Sequence, residues 1–150
     1  MRNLRRHAVR LSATAAVVAS LVWCATALAT GRQYNGPAGS AAGAGVEFNA
    51  KLTRGRPTLV RRFEFHNIPA ACKGYAATAV TDSLTLTMPV GSDRRFKGTA
   101  SLNQGREKVV VHGRFAKGFG KATGTLTVRG PVSGCGAADT GVVTWKAPAV

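Results

Sequence analysis

The acid–base chemistry open to this chain rests on few side chains: Glu47, Glu64, Asp82, Asp93, Glu107 and Asp139, with three histidines. A glycosidase needs two carboxylates held roughly 5–10 Å apart across a cleft. Glu47 and Glu64 fall on consecutive extended runs and could oppose one another. Both lie in outward sets among basic residues, where pairing with Arg62 or Lys51 is the ordinary fate. His66 and His112 also belong to polar faces, and two histidines without a third ligand do not make a metal site. No Gly-x-Ser-x-Gly elbow is present to expose a nucleophile. Lys117-Gly118-Phe119-Gly120-Lys121 looks like a phosphate cradle only by composition, because it leads into a strand and not into a helix N-terminus. Tyr75 and Trp145 could stack on a sugar ring, but Trp145 keeps the inward phase of Val143 and reads as core. The sequence therefore assigns no catalytic, cofactor-binding or metal-ligating residue.

Charge is the stronger signal. The chain carries 21 Lys and Arg against six acids, a formal net charge of +15. Beyond residue 29 there remain 17 cations and all six acids, hence +11. Three turns hold basic pairs: Arg54 with Arg56, Arg94 with Arg95, and Lys117 with Lys121. If residues 75–90 form one element, all three turns fall at the same end, away from the cysteines. Six cations on one rim would make a local positive field suited to a polyanion. No aromatics are interleaved with them, so base stacking and specific nucleic-acid recognition are not expected. The expectation is a non-catalytic binding or surface module that attaches weakly to acidic cell-envelope polymers. Solubility and edge protection explain the same charges more plainly. The alternative function is a secreted hydrolase of wall polysaccharide.

The elements that must position these residues follow from the N-terminus onward. Arg2, Arg5, Arg6 and Arg10 precede an apolar run from Leu11 to Trp23, and small-x-small sites end at Ala27 and Ala29. That order predicts a signal peptide over residues 1–29, hence a secreted, extracytoplasmic protein with no transmembrane segment after cleavage. An uncleaved N-terminal anchor is the other reading. Removal leaves two cysteines, Cys72 and Cys135, and an even pair in an exported chain predicts one disulfide. Residues 30–45, rich in Gly and Ala, read as a flexible tether.

Residues 46–150 read as one all-β domain, a single antiparallel β-sandwich or partly open barrel of about seven to eight short strands. Val109–Phe115 and Ala122–Val128 alternate with period two around the Lys117–Lys121 turn and predict a hairpin. Gly124 lies in its inward set, where a small residue would admit a bulky neighbour such as Phe115. The first strand begins at Val46; Arg54–Pro57 turns into a second from Thr58 to about Asn67. Leu59, Phe63 and Phe65 lie on one face of that second strand, and Arg61 breaks the pattern like a bulge. Cys72 is expected in a loop spanning 68–74, with Asp82-Ser83 as a turn or bulge. Strands are also expected over 84–90, 94–102 and 141–146.

Several of these pieces recur in a fixed order: Phe48-x-Ala-x-Leu-Thr-x-Gly-Arg-Pro, Cys72, Phe96, Gly113-Arg-Phe115, Gly124-Thr-Leu126, Cys135 and Gly141-Val-Val-Thr-Trp145-Lys-Ala147. In this order the chain resembles a group of small exported bacterial β-sandwich domains over residues 46–147. The resemblance implies an extracytoplasmic location and a sandwich fold, and it implies no activity.

Overall fold

The computed structural model describes residues 31–132 and 134–150, so the expected signal peptide lies outside the described residues. Nine strands follow in order: β1 (Gly31–Pro37), β2 (Gly45–Thr53), β3 (Arg56–Cys72), β4 (Thr78–Pro89), β5 (Arg95–Leu102), β6 (Glu107–Phe115), β7 (Lys121–Val132), β8 (Cys135–Asp139) and β9 (Val143–Pro148). The described residues contain no helix, and the named strand pairings are all antiparallel. The protein is thus all-β, built on one nine-stranded sheet that does not close. Strands β1, β2, β3 and β4 are neighbours in that order and form one half; β5, β6, β7, β8 and β9 form the other.

The halves meet in two places. At its far end β3 pairs with β8, through Ala71 opposite Asp139 and Cys72 opposite Ala138. On the other side β1 reaches β9, through a bridge between Tyr34 and Ala149 and a 3.0 Å hydrogen bond from the Val150 amide to the Gln33 carbonyl. Long strand β7 serves two partners in succession, β9 along Lys121–Leu126 and β8 beyond Arg129. Cys72 and Cys135 are bonded, with Cα atoms 5.6 Å apart, which ties the end of β3 to the start of β8.

An aromatic cluster joins the two halves. Phe48 on β2 stacks on Tyr34 of β1 with centroids 5.0 Å apart and on Phe63 of β3 at 5.6 Å. It also meets Phe96 of β5 and Trp145 of β9, each at 5.7 Å. All five rings are buried, and the inward sets of β6 and β7 (Val109, Val111, Phe115, Leu126, Val128) extend the same core. Burial of such large apolar side chains, at about 1.5–3 kcal/mol each, holds the halves together.

The structure departs from the sequence expectations at several points, each with a physical reason. Residues 31–37, taken as tether, form β1 in full register with β2 from Gly31 opposite Lys51 to Pro37 opposite Gly45. Tyr34 is the anchor: it is fully buried, and its hydroxyl donates a 2.8 Å hydrogen bond to the Phe119 carbonyl. Ala38 and Ala44 are buried as well, so residues 31–45 are part of the ordered domain that was expected to start at 46. Strand β3 runs on through the expected cysteine loop to Cys72 because it carries two bulges. Arg62 and Asn67 both adopt positive φ, 51° and 52°, where the ladder with β4 slips. The bulge hinted at by Arg61 is therefore real and centred on Arg62. It reverses the facing, so that Val60, and not Leu59, is fully buried with Phe63 and Phe65. Residues 78–89 form one strand, with Asp82-Ser83 inside it and Pro89 at its end. Strands β1 and β8 were not expected from the sequence; with residues 78–89 as a single strand, they raise the count from seven to nine.

Candidate anion-binding face

The three basic turns do share one end. The Val90 amide donates to the Thr58 carbonyl at 3.0 Å, which sets the β4–β5 turn beside the start of β3, where Arg56 follows Arg54. The Phe115 amide donates to the Arg94 carbonyl at 3.0 Å, which sets the β6–β7 turn on its other side. The disulfide lies at the opposite ends of β3 and β7. Of the six expected rim cations, Arg94 and Lys121 come together with Arg114 around a hollow of about 270 Å³. Arg54 and Arg56 stay on the neighbouring turn, and Lys117 sits at the tip of its own. Arg95 points away from the rim group, onto the face of the sheet, where Asp93 lies 3.5 Å from it.

That face is what sequence reasoning missed. Antiparallel register stacks outward residues into rows across β5, β6, β7 and β9. One row reads Arg95, Arg114, Thr123, Lys146, and the next reads Lys97, His112, Thr125, Thr144. Neighbouring strands lie about 4.8 Å apart, so the four cations and the histidine sit within one small patch. Among the described residues no carboxylate lies within 4.0 Å of Lys97, Arg114 or Lys146; ion pairs engage only Arg62, Arg95 and Arg129. A hollow of about 750 Å³ lies on this face, lined by the β5, β6 and β7 members of both rows and by the Gly113–Gly124 pair. The signal was present in the alternation, since His112 and Arg114 hold the polar phase of β6. The row needed the register, which no single strand carries.

Other candidates fall apart or are engaged. Glu47 and Glu64 do face one another across β2 and β3. Glu47 accepts a 2.6 Å hydrogen bond from the Gln33 amide, and Glu64 takes the Arg62 guanidinium at 2.7 Å. His66 lies against Gly45 on β2 and β3, whereas His112 belongs to β6, so the two are not brought together by the ladder. Trp145 is buried among Phe48, Phe63 and Phe96, and Tyr75 is exposed. No group of three or more His, Cys, Asp or Glu side chains that could hold a metal ion occurs among the described residues.

Two carboxylates do depart from ordinary behaviour. The Gly141 backbone amide and the Arg129 guanidinium hold Asp139 below the usual carboxylate range, on β8 near the disulfide. Glu107 is pushed above that range, by burial first and by the negative charge of Asp82 second. A raised folded pKa gives stability that is present below the ordinary carboxylate pKa and lost as pH rises through the folded value. Keeping Glu107 ionised thus costs the fold something at neutral pH.

The architecture and site together define an open antiparallel β domain, stapled by one disulfide, with one basic sheet face. No family model, no curated protein and no solved structure matches this chain.

Proposed function

We propose that the protein is a non-catalytic, extracytoplasmic binding module that holds acidic envelope polymers on the outward face of β5, β6, β7 and β9. The observation that carries this reading is the direct opposition of Arg95 and Arg114 in the ladder. Like charges placed directly opposite one another weaken a sheet. Lys97 and Lys146 add to the same patch, and Asp93 at 3.5 Å is its one close acid among the described residues. A bound anion would relieve that repulsion. Repeated phosphate or carboxylate groups suit it because successive rows lie about 6.8 Å apart along a strand, a spacing a flexible polymer can span. The Arg94–Lys121 hollow continues the path toward the rim, so the turn cations would guide the polymer onto the face. The alternative of a wall-polysaccharide hydrolase would draw on Glu47 and Glu64, and both are held by neighbouring side chains.

Retention of the chain, freed of residues 1–29, on purified acidic wall polymer at low salt tests the proposal. Changing Lys97, Arg114 and Lys146 to Gln is expected to weaken retention sharply. Changing Arg61, Lys73 and Arg106 to Gln removes the same charge elsewhere and is expected to leave most of it. Equal loss in both variants would mean that net charge alone acts, and the face would have no role.

A further inference from the structure

Two of the six acids occupy core-facing positions, which is unusual in a chain this basic. Glu107 opens the inward set of β6, in phase with Val109 and Val111, and is 2% exposed. Asp82 sits in the inward set of β4, in phase with Val80, Leu84 and Met88, and is half-buried. Strands β4 and β5 are not paired with each other, so the sheet is open between them. At the end of this opening nearer the disulfide lies a hollow of about 270 Å³, lined by Asp82, Glu107, Asn103 and Thr81 among others. Glu107 Oε2 accepts a 2.6 Å hydrogen bond from Asn103 Nδ2. Its other oxygen, Oε1, is buried and has no partner among the described residues. A buried carboxylate oxygen left unpaired is costly, so its retention points to a group that is not part of the chain.

The chemistry of the hollow narrows what that group is. The polar groups offered are two carboxylates, an amide and a hydroxyl, all with oxygen donors, and no sulfur or imidazole lines it. No Lys or Arg among the described residues pairs with either acid. Asp82 Oδ1 is spent on the Ser83 amide at 2.7 Å, which leaves its second oxygen. Two negative charges with neutral oxygens beside them match a hard divalent cation that tolerates irregular coordination and keeps some water. Calcium fits this better than magnesium, which requires near-ideal octahedral geometry and dehydrates reluctantly.

We propose that Asp82 and Glu107, with Asn103, form a calcium site in the opening between β4 and β5. The site is separate from the basic face and stands whether or not that face binds polymer. Calcium there would cross-link β4 to the β5–β6 turn where the sheet itself makes no ladder.

The test is thermal unfolding of the chain, stripped with a chelator and then titrated with CaCl2. Sites of this kind in extracellular modules are weak, so about 5 mM calcium should raise Tm by roughly 5 °C, and magnesium by much less. Glu107→Gln keeps the volume and the Asn103 contact, and is expected to lose the calcium response while remaining at least as stable in chelator. Asp82→Asn is expected to weaken the response, and provides the readout if the first variant folds poorly. Glu47→Gln, far from the hollow, should respond like the wild type. A wild type indifferent to calcium, or a Glu107→Gln variant shifted as much as the wild type, overturns the site.

Discussion

Gly124→Val is expected to destabilise the domain by roughly 1–3 kcal/mol, toward the upper end of what overpacking costs. A Cβ built on Gly124 would collide with the His112 carbonyl on β6 and with the indole ring of Trp145. Neither can yield readily. The carbonyl belongs to the central β6–β7 ladder, and the indole is wedged among Phe48, Phe63 and Phe96, with centroids 5.7–6.2 Å away. The bulky neighbour that requires glycine here is therefore Trp145, not the Phe115 expected from the hairpin alone. Thr125, one residue on, lies in the outward row beside His112, and Thr125→Val should change stability by under about 0.5 kcal/mol. Urea unfolding midpoints of the two variants separate the effects. Equal shifts would mean that the faces of β7 are assigned the wrong way round.

Loss of the disulfide should have the largest effect. Cys72 and Cys135 are 63 residues apart in sequence, and in the loop-entropy model that cross-link stabilises by about 4 kcal/mol. Domains of this size have only about 5–15 kcal/mol in total, so the loss would be severe. The local structure adds to the expectation. Strand β8 has five residues, joins β3 through two register pairs, and follows a bulged stretch of β7. Without the bond, the far end of β3 and β8 should separate first. Reductant should lower the wild-type denaturation midpoint sharply, and changing both cysteines to Ala should give that low midpoint without reductant. A wild-type midpoint unmoved by reductant would show that the bond carries no stability.

How much could be read without the structure depended on how local the deciding interaction was. The β6–β7 hairpin was legible because alternation, glycines and turn lysines all agree within twenty residues or so. The disulfide was legible from the two cysteines that lie beyond the expected signal peptide. Strand β1 was not, since Gly31–Pro37 has no alternation of large apolar residues, and one tyrosine reaching into a distant ring cluster decides its place. Strand β8, Cys-Gly-Ala-Ala-Asp, is likewise held by its neighbours and not by its own pattern. The bulges of β3 shift its phase twice, so a period-two reading was bound to misplace Leu59. The rim cations could be grouped from turn positions alone. The Arg95–Arg114–Lys146 row could not, because it is assembled from three strands by register. Glu107 and Asp82 could have been noticed: each keeps exact phase with apolar neighbours, the mark of a charge facing inward.

The central claim is that a defined set of cations on one sheet face, and not overall charge, meets an acidic polymer. The most direct measurement is the affinity of the chain for a soluble acidic polymer across a series of salt concentrations. Each cation neutralising an anionic group should contribute a little under one unit to the slope of log affinity against log salt. The account predicts a linear fall for the wild type and a slope shallower by a little under three units when Lys97, Arg114 and Lys146 become Gln, with the Arg61, Lys73 and Arg106 variant keeping the wild-type slope. The same slope in all three proteins, or no binding by the wild type at low salt, would contradict it.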